Sequence, residues 1–211
     1  VSNRQRRDPI EARTSCSGFF FQEIIVNHIM LDLETLDTSS SAVVLSIGAV
    51  AFDPHTNALG DRFYVEMTED TAAQQARGRT ISGDTVRWWM QQDVLAKRVF
   101  SVPPPDGVER VNTVEALSRF GLFVAANGDR DVELWGNGAD FDNIILGSLY
   151  DAFGLRKPWS YSRNRCYRTM KNLGIGPRRP LVREGTHHNA LDDAITQAVH
   201  LQEIFACLKP H

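Results

Sequence analysis

IIVNHIMLDL, residues 24–33, leads directly into Glu34 and Thr35, and AVVLSIGAVAF, residues 42–52, follows after a short polar stretch. Both runs are apolar, rich in β-branched residues and of strand length, and Asp53-Pro54 closes the second. RFYVE, residues 62–66, alternates in polarity after the turn around residues 57–60 and predicts a third strand. Connections this short imply an antiparallel meander, because parallel neighbours need a crossover of a dozen or more residues.

Further along, the period lengthens. Ser82 is placed to cap a helix running through DTVRWWMQQ, with helical character resuming up to residue 99. SVPPPDG, residues 101–107, is a break and a surface loop. Residues 113–126 read as an amphipathic helix offering Val114, Leu117, Phe120, Leu122 and Val124 to a core. DVELW, residues 131–135, predicts a strand, and GNGAD turns it into a helix over 141–153. A short strand or helix around 165–173 and a last helix over 189–208 complete a mixed α/β architecture.

At 211 residues the chain suits one domain with a sizeable core. Residues 1–25 lack sustained periodicity and are expected to be a poorly ordered N-terminal extension, with the domain occupying 26–211. The net charge of −3 announces no global basic field, but its distribution is uneven. Arg156, Lys157, Arg163, Arg165, Arg168, Lys171, Arg178, Arg179 and Arg183 fall in one stretch without an acid, leaving 14 basic against 26 acidic residues elsewhere. Such segregation suits a polyanion guided toward a cation-holding site, although a solvated basic loop has the same composition. The cysteines, Cys16, Cys166 and Cys207, are odd in number and far apart, so a reducing cytoplasm is expected. No apolar run reaches membrane-spanning length, and no membrane association is expected.

Asp32 and Glu34 sit at i and i+2 of a strand and therefore project from one face, with Leu33 on the other. Two adjacent carboxylates repel, and a hard divalent cation such as Mg²⁺ or Mn²⁺ relieves that repulsion. A lone DxE pair is weak evidence, since most are solvated. Asp142 follows a strand and a glycine turn at the start of a helix, where sites in α/β folds collect. Its neighbour Asp140 reads as the helix cap. In HHNALDDA, residues 187–194, an imidazole and a carboxylate in the first turns of a helix can share one site. Asp192 and Asp193 point about 100° apart on a helix, so one of them is the natural ligand.

DLET at residues 32–35, ADFDN at 139–143 and HNALDDA at 188–194, in that order, resemble the motifs of the DEDDh exonucleases of the RNase H-like superfamily. With SIGAVAF, TVRWWMQQ and WGNGADFDN they look like the subgroup of RNase AS-type exoribonucleases and phage DNA exonucleases. The resemblance covers roughly residues 26–208. It implies an RNase H-like mixed β-sheet, antiparallel in its first three strands and then parallel, flanked by α-helices. It also implies 3′→5′ hydrolysis of single-stranded RNA or DNA with two divalent cations, Mg²⁺ or Mn²⁺, held by Asp32, Glu34, Asp142 and Asp193. His188 is then the general base. Thr35 and Leu36 are expected to receive the terminal nucleotide. Of Trp88 and Trp89, one is expected in the core and the other against a base. Arg163, Arg165, Arg179 and Arg183 are expected at phosphates, and a homodimer matches similar exonucleases. The rival reading is a catalytically silent nucleic-acid-binding module on the same fold, which loss of an acid or of His188 would favour; all five are present. An unrelated metal phosphatase using the DxE pair leaves the HNALDDA segment unexplained.

Overall fold

The computed structural model describes residues 27–128, 131–179, 181–183 and 185–208. The expected extension 1–25 and the first residues of the 24–33 run lie outside the described residues. Five strands, β1 (His28–Thr35), β2 (Val44–Phe52), β3 (Leu59–Glu66), β4 (Glu133–Gly136) and β5 (Asn164–Cys166), form one sheet in the order β3-β2-β1-β4-β5. β1, β2 and β3 pair antiparallel, whereas β4 and β5 add in parallel. This is the mixed RNase H-like sheet expected from the sequence.

The helices are α1 (Thr71–Ala76), α2 (Gly83–Gln91), α3 (Thr113–Ala126), α4 (Asp142–Ala152), α5 (Tyr167–Asn172) and α6 (Ala190–Leu208). Alternation along β1 divides the interior in two. Ile29, Leu31 and Leu33 pack with residues of α3 and α4 on one face, and Met30 packs under Ala194, Ala198 and Leu201 of α6 on the other. Asp32 and Glu34 continue the Met30 row, so the acids face α6. β2 is buried at every position, as expected of a strand covered on both faces.

Several local expectations need correction. α3 has the expected bounds, but Val114 and Leu122 are 45% and 73% exposed. The buried stripe is Thr113, Ala116, Leu117, Phe120, Phe123 and Val124, a cleaner i, i+3, i+4, i+7 series. α2 begins at the Ser82 cap, whose side chain accepts the amides of Asp84 and Thr85, and ends at Gln91. A separate 3₁₀ turn follows at Ala96–Phe100, where Asp93 accepts the Ala96 amide at 2.9 Å. Around residues 165–173 strand and helix both occur, as β5 and α5. No helix among the described residues is long and apolar enough to cross a membrane.

One buried ion pair braces the edge of the sheet. Glu66, 2% exposed at the end of β3, receives Arg110 Nε at 2.8 Å and the Tyr64 hydroxyl at 2.8 Å. Arg110 also donates to the Val99 carbonyl at 3.0 Å, tying the 3₁₀ turn to the sheet.

Candidate active site

The site begins with the end of β1. Asp32 is half-buried and Glu34 buried, both on the face that α6 covers. Asp32 is paired across the ladder with Gly48 of β2, and Gly48 decides how close α6 can come. A Cβ at position 48 would lie 2.1 Å from the Ala190 carbonyl carbon and 2.2 Å from the Leu191 nitrogen. The bare glycine therefore lets the first turn of α6 rest on the sheet and brings Asp193 over the acids of β1. One ligand atom each from Asp32, Glu34 and Asp193 then lies within 4.8 Å of the others.

The acidic doublet at 192–193 has two distinct uses. Asp192 accepts the Thr186 amide at 2.7 Å and stabilises the loop before α6. Asp193, 9% exposed, accepts the His188 amide on Oδ2 at 2.9 Å and Arg183 on Oδ1 at 2.8 Å. His188 has φ +64°, a left-handed conformation that an L-residue with a Cβ adopts at some expense. The bond to Asp193 helps hold it there. Its ring stands edge-on to Trp88 with centroids 4.8 Å apart, and lies against His187 at 3.7 Å. His187, His188 and Asp193 form a second, overlapping group of ligand atoms.

Asp142 reaches the site from the opposite layer. The N-cap of α4 is Phe141, without a side-chain cap bond, and Asp140 is exposed. The expectation that Asp140 caps this helix is therefore corrected. Asp142 itself, 1% exposed, accepts the Leu33 amide at 3.1 Å and the Asn137 amide at 2.6 Å. It locks the glycine turn to β1 and stands outside the group formed by Asp32, Glu34 and Asp193. Gly136 permits this closeness, since a Cβ there would meet Asn143 Oδ1 at 2.1 Å.

Burial raises the Asp32 carboxyl well above its ordinary range, and Asp142, Glu34 and Asp193 push it further. Glu34 is raised by burial and then by Asp193 and Asp142. Burial also lifts Asp142, to about 6, against the pull of its amide partners and Arg168. Burial depresses His188 below the usual imidazole value, with His187 adding to the shift. Acids gathered this tightly resist ionising together unless a cation joins them. An all-oxygen donor set of Asp32, Glu34 and Asp193 fits a hard divalent ion such as Mg²⁺ or Mn²⁺.

A cavity of about 630 Å³ opens over these residues. Thr35 and both tryptophans line it, whereas Leu36 packs beside Leu45 and Trp89 in a small core cluster. Trp89 is 3% exposed and donates to the Thr35 carbonyl at 2.9 Å; Trp88 is 41% exposed. Of the four arginines expected at phosphates, Arg183 lines the cavity. Arg163 and Arg165 are outside its lining and pair with Glu133, and Arg179 pairs with Glu203. The other basic side chains lining it are Arg168 and Lys171 of α5.

Gln197 was missed by the sequence reading. It donates to Asp32 Oδ1 at 2.7 Å from one turn beyond Asp193 on the same face of α6. The i+4 spacing from Asp193 was the available signal.

A sheet of this order, with carboxylates gathered at the end of its central strand, places the chain in the RNase H-like class. Within that class the chain belongs to the family described as the 3′-5′ exoribonuclease Rv2179c-like domain, whose family model matches residues 27–205. It is also similar to the exodeoxyribonuclease of Enterobacteria phage T4, with 25% identity over 127 residues, covering 57% of this chain and 54% of that protein. The chain thus spans about half the length of that curated relative.

Proposed function

We propose that the chain is a 3′→5′ exonuclease that hydrolyses phosphodiester bonds in single-stranded nucleic acid. The observation that carries this reading is the convergence of Asp32, Glu34 and Asp193 within 4.8 Å under the first turn of α6. Two divalent cations, Mg²⁺ or Mn²⁺, would be held by these three residues and Asp142, supplying a clamp on the scissile phosphate and a more acidic attacking water. Asp32, gathered with Glu34 and Asp193, would be one of the residues that hold them. Asp142, with both oxygens already accepting backbone amides, suits a contact through water.

His188 is the general base in this reading. Burial depresses its imidazole below the usual value and so favours the neutral form, which would take the proton of the attacking water. Attack at phosphorus breaks the bond to the 3′ oxygen of the preceding nucleotide. That oxygen leaves as the new 3′-hydroxyl, and a nucleoside 5′-monophosphate is released. Glu34 and the Thr35 backbone, both lining the cavity, would receive the terminal 3′-hydroxyl, and Trp88 would offer its exposed ring to the base. Arg168, Lys171 and Arg183, which line the cavity, would contact the backbone phosphates. Cys166 and Cys207 are free thiols, in keeping with a reducing, cytoplasmic setting.

The family description names a ribonuclease and the phage relative's name a deoxyribonuclease. The test is to incubate matched 5′-labelled RNA and DNA strands in parallel with Mg²⁺ or Mn²⁺. Stepwise shortening from the 3′ end is expected, and Asp32→Ala should abolish it. Undiminished shortening by Asp32→Ala protein, or none by the intact chain with either metal, would sink the proposal. The relative rates on the two strands identify the substrate.

A further inference from the structure

The basic side chains of the 156–183 stretch are anchored in two different ways. Arg163 and Arg165 are tied to Glu133, and Arg179 to Glu203, acids outside the cavity lining. Arg183 is tied to Asp193, one of the three clustered acids, through Nη1 and Oδ1 at 2.8 Å. Asp193 is largely buried whereas the Arg183 side chain is half exposed, on a segment between α5 and α6 whose described residues form neither helix nor strand. The guanidinium can therefore swing while the carboxylate stays.

When Asp32, Glu34 and Asp193 ionise together, their clustered charge must be met by a proton or a cation. Among the described residues, Arg183 is the basic side chain that forms an ion pair with this group. A dication seated among the same oxygens would put more than one positive charge beside the guanidinium at close range, and the two would repel.

Building on the metal-dependent reading above, we infer that Arg183 is an internal stand-in for a cation: it neutralises Asp193 in the metal-free protein, is displaced when a divalent ion binds, and then engages a substrate phosphate. Metal loading and strand binding are thereby coupled through one side chain. A guanidinium, with several donors on one planar fork, suits both partners, a carboxylate first and a phosphate second.

The test measures Mn²⁺ binding to the full chain by electron paramagnetic resonance without nucleic acid, so that turnover plays no part. Arg183→Gln should bind Mn²⁺ about two- to ten-fold more tightly than wild type, because the competing ion pair is gone. Arg183→Lys should fall between them and guards against a folding defect in the glutamine variant. With Ca²⁺ added and a 5′-fluorescein single strand as probe, the order should reverse, Arg183→Gln binding the strand more weakly than wild type. Equal or weaker Mn²⁺ affinity in both variants, with melting temperatures near wild type, would overturn the stand-in role alone. Failure of the wild type to bind Mn²⁺ would remove the cation centre itself, and this inference with it.

Discussion

Glu34 and Glu66 lie in one row across the sheet, with Ser46 between them, and both are less than 10% exposed. Glu66 has Arg110 and the Tyr64 hydroxyl as partners inside the fold. Glu34 faces Asp193 and Asp142, and among the described residues no basic side chain pairs with it. The same residue type at the same depth is thus finished in one case and unfinished in the other. A buried carboxylate with its counter-ion braces the structure; one without it is a demand for a cation from outside.

Removing the internal counter-ion should produce the largest change. Arg110→Ala leaves Glu66 buried and unpaired, and denaturant melts should show a loss of about 3–5 kcal/mol. Wild-type stability in that variant would mean that the pair contributes nothing and the contrast is empty. Glu34→Gln should do the reverse. It removes a charge that the metal-free fold resists, so the apo melting temperature should hold or rise, while exonuclease turnover falls by about 10³-fold. Retained turnover would place the chemistry elsewhere.

The two tryptophans repeat the contrast between closed and open surroundings. Trp89→Ala should lose about 3–5 kcal/mol of stability, since the ring fills a core cluster and bonds the Thr35 carbonyl. Trp88→Ala should leave stability near wild type and raise KM by about ten-fold through lost stacking. Similar melting curves for the two variants would contradict the contrast between a buried Trp89 that fills a core cluster and a Trp88 left open to the cavity.

The smallest effect concerns pH. Unfolded carboxyls titrate near ~4, whereas Asp142 in the fold is held up to about 6 and Asp32 and Glu34 are also raised. Between those values the native state binds more protons than the unfolded chain, so stability falls as pH rises. For Asp142 the loss starts above the unfolded value and is complete once pH passes its folded one. Metal-free protein should therefore melt higher at pH 5 than at pH 7.5, and Mg²⁺ should stabilise more at pH 7.5. A flat or inverted profile in calorimetry would show that the acids are not strained together.

What the sequence made legible follows from local pattern. Continuous apolar runs marked β1 and β2, alternation marked β3, a period near ~3.6 marked α3, and the i, i+2 spacing placed Asp32 and Glu34 on one face. What stayed hidden depends on register and depth. Glu66 and Arg110 are 44 residues apart, and their pairing exists only once β3 has met the segment leading into α3. Asp140 reads as the helix cap on paper, yet no side chain caps α4, and it is Asp142 that the sheet edge engages through the Leu33 and Asn137 amides. The arginines looked alike in sequence, and only their acidic neighbours separate Arg163, Arg165 and Arg179 from Arg183. Which tryptophan goes inside was equally invisible until α2 was set against the Thr35 carbonyl.

Gly48 carries a consequence of another kind. It lies in the floor of the site, yet it has no functional group, and its contribution is clearance for the first turn of α6. The aperture between the acids of β1 and Asp193 is therefore set by an atom the residue lacks. A change there would retune the spacing of the clustered carboxylates without altering the identity of any polar side chain. The chemistry of this cleft thus has an adjusting screw inside its hydrocarbon.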